Sequence, residues 1–369
     1  FVMRTSIIIV IGSFGLSLFS IFTFAQGRSL SLNGLMERRI DSLLQSYHLS
    51  GNPGAAVLIY EQGEVRMAKG YGIKNSSTAE KVSAQTCFRL ASLTKQFTAM
   101  SILQLSQTGK ILLDSPVHFY LDILPAYTHE ITIRHLLTHT SGLPDYEDLI
   151  PAAQKEQVLD MDCLRLLHTT QQLYFEPGTA YRYSNTGYAL LALVVAQVSG
   201  EDFASYLRKH IFKPLGMKHT VALEAGKSNV ADRAMGHSRL GDAWQLTDQS
   251  ITSAVLGDGG IYTNVLDYAR WIKALLSHRF ISDSLQKVAW QKARLKNGNS
   301  VNYGYGWHVD EIRGKSYPHH SGSSIGFRNH ILLFPDKERA VVILTNRNEG
   351  NPYELALQIT DLVWPVTAD

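Results

Sequence analysis

Residues 88–100 read FRLASLTKQFTAM, with Ser92 and Lys95 three positions apart at the head of an apolar run. A spacing of i, i+3 brings two side chains to one face of a helix. A partly buried lysine loses its proton more readily than a solvated one and could take the proton of the serine hydroxyl. The amino end of a helix adds free N–H groups and partial positive charge beside that serine. The same letters also describe an ordinary helix start, where serine is a common cap. With 32 Ser and 16 Lys in the chain, the spacing arises by chance about 1.4 times. A second copy, Ser284 to Lys287 in ISDSLQKVAWQKARLK, has Lys292 and Lys296 close by and reads as a solvated helix.

Two further stretches carry suitable chemistry. YRYSNTG (181–187) holds Tyr183 and Asn185, which point the same way on an extended loop. Tyr183 could relay a proton and Asn185 could bind a substrate amide; the plainer reading of Tyr183 is a packed loop aromatic. Tyr262-Thr263-Asn264 repeats the pattern elsewhere. HHSGSSIGF (319–327) places His320, Ser321 and Gly322 before an apolar strand. Glycine there lets a substrate backbone approach the strand closely. The plainer reading of the two histidines is a polar pair at a strand start.

Around these stretches the elements alternate in type. Residues 35–47 have helical apolar spacing, and 53–72 read as two strands about a Gln62-Gly63 turn. ITIRHLLTHTSGL (131–143) reads as a short helix entering a loop, and the polar 144–160 as an exposed loop bordering a cleft. GYALLALVVAQVSG (187–200) is apolar on nearly every side and predicts a buried helix. Residues 202–217 predict a second helix, stopped by Pro214 and Gly216, and 267–277 a third. Residues 326–346 predict a hairpin about Pro335-Asp336-Lys337, and 353–364 a closing helix. Strands early and late, with helices between, predict an α+β fold. Its antiparallel sheet is built from N- and C-terminal strands flanked by helices, with a mostly helical region inserted.

The bulk numbers narrow the function classes. The chain has 369 residues, is 45% hydrophobic and carries a formal net charge of +3, with no run of like charges. That is ample for a large core and is not the basic footprint of a nucleic-acid binder. Residues 1–25, FVMRTSIIIVIGSFGLSLFSIFTFA, have one charge, Arg4, then an apolar run ending in Thr23-Phe24-Ala25. This is the pattern of a cleaved secretory signal peptide starting at Met3, and the expected location is periplasmic or secreted. The alternative is an uncleaved anchor, the only expected membrane contact. Two cysteines, Cys87 and Cys163, allow one bridge at most and read as buried thiols. His135 and His139 stand at a metal-binding spacing, but no third ligand is evident and they read as ordinary packed residues.

Taken in order, FRLASLTKQFTA, ITIRHLLTHTSGLPDY, FEPGTAYRYSNTGYALLA, IFKPLGMKHT, GDGGIYTNVLDYARW and HHSGSSIGF resemble the beta-lactamase-related serine hydrolases. That group includes class C beta-lactamases, D-alanyl-D-alanine carboxypeptidases, D-aminopeptidases and esterases. The resemblance runs from about residue 35 to 364, making residues 26–369 one hydrolase domain with a beta-lactamase/transpeptidase-like fold. It implies that Ser92 is the nucleophile, that Lys95 and Tyr183 share the acid and base roles, and that Asn185 binds substrate. The third element, often Lys-Thr-Gly, falls on His320, Ser321 and Gly322, and the oxyanion on the N–H groups of Ser92 and Ser323. The resemblance also implies that Tyr262 and the paired histidines lie in structural segments and that no cofactor is needed.

Histidine at 320 departs from the better-known beta-lactamases. It is mostly neutral at pH 7, where lysine is a cation that can hold a carboxylate. The expected activity is therefore hydrolysis of an ester or D-amino-acid peptide, a small molecule or peptide such as cell wall supplies, with weak beta-lactamase action at best. The competing expectation is a non-catalytic cell-wall binder or sensor on the same fold.

Overall fold

The structure is a computed structural model that describes residue 32, residues 34–312 and residues 314–365. The expected signal segment, 1–25, lies outside the described residues. Six antiparallel strands form the main sheet: β1 (Ala55–Glu61), β2 (Glu64–Tyr71), β3 (His308–Ile312), β4 (Lys315–Ser324), β5 (Phe327–Phe334) and β6 (Arg339–Thr345). Their spatial order is β3-β4-β5-β6-β1-β2. The two ends of the chain meet at β1 and β6, in register from Ala55 opposite Thr345 to Glu61 opposite Arg339. Gln62 and Gly63, with φ of 50° and 83°, make the tight turn between β1 and β2, which suits the twist of a two-residue hairpin.

The principal helices are α1 (Gly34–Leu43), α2 (Lys95–Gln107), α3 (Asn185–Ser199), α4 (Val265–Leu276) and α5 (Pro352–Val363). Strand β1 is apolar at every position but the last because both of its faces are covered. Ala56, Leu58 and Tyr60 join the core shared with the inserted helical region. Ala55, Val57 and Ile59 face Ile40 of α1 and Leu355, Ala356 and Ile359 of α5. This is the period-two alternation of a strand sandwiched between two helical layers.

The apolar run at 187–200 forms α3 as expected. Ser184 caps its start by accepting the Gly187 N–H, and Gly200 ends it in the left-handed region. The expected helix at 202–217 is broken into Phe203–Leu207, a π-turn at Arg208–Phe212 and a last turn at Lys213–Leu215. Pro214 sits in the first turn of that last piece instead of stopping the helix, a position where no proline N–H is required. The segment 144–160 corrects its reading as an exposed loop. Asp145 caps a short helix, Tyr146–Leu149, and Tyr146 is buried among Val158, Cys163, Ala189 and Val255. Cys87 and Cys163 are both buried free thiols.

Candidate active site

The strand Phe88–Arg89 pairs with Thr263 and Tyr262. The chain then reverses at Ala91, whose φ of 50° lies in the left-handed region. That conformation is uncommon outside glycine and is characteristic of strained functional turns. A single 3₁₀ turn, Ala91–Thr94, follows, and α2 begins at Lys95. Ser92 therefore sits in the turn before the helix, not inside it, yet Lys95 still reaches it: Nζ lies 3.1 Å from Ser92 Oγ. Nζ also donates to Asn185 Oδ1 at 2.8 Å and to the Asp258 carbonyl at 3.0 Å.

Lys95 is wholly buried. Burial pulls its pKa well below the ordinary 10.5, while Asp258, Asp145 and Glu147 push it back up. The rings of Tyr183 and Tyr188 lie 5.0 and 5.5 Å from Nζ and give the charged form modest support. A lysine in these surroundings sheds its proton far more easily than one in water.

Asn185 is the first residue of α3, and it is held through its backbone and both side-chain polar atoms, with the second N–H of Nδ2 left for a ligand. Its N–H donates to Asp145 Oδ2 at 2.6 Å, and its Nδ2 to Glu147 Oε1 at 3.2 Å. The Tyr183 hydroxyl is buried without a well-formed hydrogen bond among the described residues. Burial pushes its pKa far up, and the Ser92 side chain beside it pulls the other way. The Tyr183 ring is held against His139, with centroids 4.1 Å apart. His139 Nδ1 accepts the Ser184 N–H at 3.1 Å, and His135 Nδ1 accepts the Thr132 N–H at 3.2 Å. The two histidines thus brace separate backbone segments. Among the described residues no group of three or more His, Cys, Asp or Glu side chains is placed to hold a metal ion.

The third element lies on β4. Gly322 faces the turn before Ser92: a Cβ there would stand 2.1 Å from the Leu90 carbonyl oxygen. Ser321 and Ser323 are exposed on alternate positions. His320 is buried behind the cleft, not in its wall. Its Nδ1–H donates to the Ser321 carbonyl at 2.6 Å, leaving Nε2 to accept the Tyr303 hydroxyl at 2.9 Å. Burial lowers its pKa well below 6.5, so the ring is neutral and has no nitrogen to offer a ligand.

Ser92, Asn185 and Ser323 line one cleft of about 220 Å³ together with Glu147 and Asp258. Larger hollows, about 420 Å³ beside Trp364 and about 540 Å³ beside Phe203, contain none of the motif residues. The repeated motifs fall elsewhere. Lys287 pairs with Asp283 on an exposed helix, and Asn264 caps α4.

Sequence reasoning missed Asp145, Tyr146, Glu147 and Asp258. The Pro144-Asp145-Tyr146-Glu147 run holds a helix-cap signal that could have exposed the first three. Asp258, in the glycine-rich GDGG, has no local mark of its place beside Lys95. Burial pushes its carboxyl up, Lys95 pulls it down, and Tyr146 donates to Oδ2 at 2.9 Å. Glu147 is exposed at the cleft rim, where partial desolvation and the neighbouring Asp145 push its carboxyl up to about 7.

Residues 36–362 match the family described as Beta-lactamase. The chain is 31% identical over 321 residues to penicillin-binding protein 4* of Bacillus subtilis, covering 82% of this chain and 70% of that one. It is 30% identical over 321 residues to protein flp of Staphylococcus aureus, covering 85% of this chain and 63% of the longer relative. Among solved structures, the octameric penicillin-binding protein homologue from Pyrococcus abyssi superimposes with a TM-score of 0.75 at 26% identity, over 89% of this chain and 77% of that one. The sequence match across nearly all of the described chain, and the shared sheet-and-helix architecture, establish that this protein belongs to the beta-lactamase family of serine hydrolases.

Proposed function

We propose that the protein is an exported hydrolase that opens an ester or a D-amino-acid peptide through an acyl-enzyme on Ser92. The observation that carries this reading is the 3.1 Å contact between Ser92 Oγ and a fully buried Lys95 Nζ. Neutral Lys95 accepts the hydroxyl proton as Ser92 Oγ forms its bond to the substrate carbonyl carbon. The resulting oxyanion lies between the backbone N–H groups of Ser92 and Ser323. The tetrahedral intermediate then expels the leaving group, which takes up a proton relayed by Tyr183. Asn185 holds the substrate amide. Water, deprotonated by the same Lys95–Tyr183 pair, attacks the ester carbonyl and restores Ser92.

The preference within this class follows from charge. His320 is neutral with both nitrogens engaged, Glu147 and Asp258 border the cleft, and the Arg89 guanidinium that also lines it is 3% exposed and donates to the Ser253 carbonyl. A substrate whose recognition depends on its carboxylate finds little to pair with, so beta-lactam turnover is weak. The N-terminal apolar segment supports export, with cleavage after Ala25.

Incubation with a fluorophosphonate and with a fluorescent penicillin, read by intact mass, tests the mechanism. An adduct on the wild type that is absent from Ser92→Ala supports it. No adduct, with no turnover of p-nitrophenyl esters or D-Ala peptides, defeats it in favour of a non-catalytic binder. N-terminal sequencing of protein from expressing cells tests export, and retention of Met3 counts against cleavage.

A further inference from the structure

Lys95 acts as a base only if its lone pair faces Ser92, because a neutral amine keeps two N–H donors and one acceptor site. The two donors go to Asn185 Oδ1 and the Asp258 carbonyl, so those two acceptors set the direction of the lone pair. Asn185 is anchored by α3 and Asp145. The Asp258 carbonyl belongs to a single helical turn, Leu256–Gly259, whose own N-cap residue supplies no side-chain hydrogen bond. The missing cap comes from a distant part of the chain. Asp160 accepts the Leu256 N–H through Oδ2 and the Gly257 N–H through Oδ1, both at 2.9 Å. From the other side, Thr98 of α2 donates to the Gly257 carbonyl at 2.7 Å. Gly257 is wedged against α3, with no room for a Cβ beside the Tyr188 carbonyl.

Asp160 has no cation within ion-pairing distance among the described residues; its balancing partners are backbone N–H groups. Burial pushes its pKa up to about 6, and those N–H groups pull it back. A partly buried carboxylate with no cation beside it is costly to keep, and what it holds is the turn that carries an acceptor of Lys95.

We infer that Asp160 is a positioning residue for the general base, fixing the Asp258 carbonyl and through it the lone pair of Lys95. This rests on the reading of Lys95 as the base of Ser92. Asp160→Asn keeps one acceptor and turns an NH₂ toward a peptide N–H, so the turn shifts while the packing volume stays the same. Thr98→Val removes the second tie to the same turn with almost no change of shape.

The test is the rate of Ser92 acylation by a fluorophosphonate, as a function of pH and probe concentration, in wild type, Asp160→Asn and Thr98→Val, with a melting curve for each. On the alkaline plateau, where Lys95 is neutral in every variant, Asp160→Asn is expected to acylate about 10- to 100-fold more slowly, the penalty of a base misplaced by a fraction of an ångström. Thr98→Val is expected to lose about 3- to 10-fold on the same estimate. Half-saturating probe concentration should move less than twofold in both. A plateau rate within twofold of wild type in folded Asp160→Asn overturns the inference, as does a loss that falls on probe binding and leaves the maximal rate intact. If Asp160→Asn does not fold, Thr98→Val decides: an unchanged plateau overturns the inference. Absence of any acylation in the wild type defeats the underlying hydrolase reading instead, so the two failures are distinct.

Discussion

Gly322 and the carbonyl of Leu90 approach so closely that a Cβ on residue 322 would lie 2.1 Å from the oxygen, with Leu93 Cδ1 at 2.9 Å behind it. Strand β4 and the turn that carries Ser92 are therefore in backbone contact, and this sets how far Ser323 stands from Ser92. Gly322→Ala must push the strand off the turn. The expected result is a loss of about 1–3 kcal/mol of stability, seen in denaturant melts. Acylation by a fluorophosphonate should fall at least about 100-fold as the two proposed oxyanion donors, the N–H groups of Ser92 and Ser323, separate.

The acylation rate should rise with pH and level off below the ordinary lysine value of 10.5, because burial lowers the pKa of Lys95. Glu147 opposes that shift, so Glu147→Gln should move the inflection to lower pH. Stability follows the same linkage. Between the folded and unfolded pKa values of Lys95 the unfolded chain binds more protons, so this lysine makes stability increase as pH rises through that window. The raised pKa of Glu147, about 7 against 4.5, acts oppositely: its contribution falls as pH rises from about 4.5 to 7. An inflection that stays fixed in Glu147→Gln would argue against Lys95 as the titrating base.

Tyr183→Phe removes a buried hydroxyl that has no well-formed partner in the resting state. Folding should therefore change little, while turnover of a p-nitrophenyl ester and a D-Ala peptide should diverge. The phenolate of the ester leaves without a proton; the amine of the peptide needs one. The peptide rate is expected to drop about 100- to 10,000-fold, and the ester rate by much less. Equal losses on both substrates would assign Tyr183 to packing.

His320→Lys tests whether the histidine merely stands in for a carboxylate-binding lysine. Residue 320 is 1% exposed and is surrounded by the rings of Tyr183, Tyr303 and His308. An ammonium there meets no carboxylate partner and loses the fit to the Tyr303 hydroxyl. The expected outcome is a stability loss of at least about 2 kcal/mol and no gain in kcat/KM for penicillin.

The sequence by itself determined the local parts of this protein. The apolar run of α3, with Ser184 before it and Gly200 after it, could form only a buried helix. The continuous apolar runs of β1 and β6 are those of strands covered on both faces. Ser92 and Lys95 were legible as a pair because three residues of chain hold them together whatever the rest of the fold does. Asp145, Glu147, Asp160 and Asp258 were not, because their meaning lies in contacts across the chain: Asp160 reaches a turn 96 residues away, and Asp258 reaches Lys95 from a segment 163 residues on. In the sequence each is one more acid in a polar or glycine-rich stretch. Only the folding of those stretches against α2 and α3 turned them into the electrostatic surroundings of one lysine, and only burial, a property of the assembled core, moved that lysine toward its neutral form. His320 follows the same rule. Its neutrality could be guessed from its type, but its withdrawal from the cleft was decided by Tyr303 and the Ser321 carbonyl, which satisfy both ring nitrogens inside the protein.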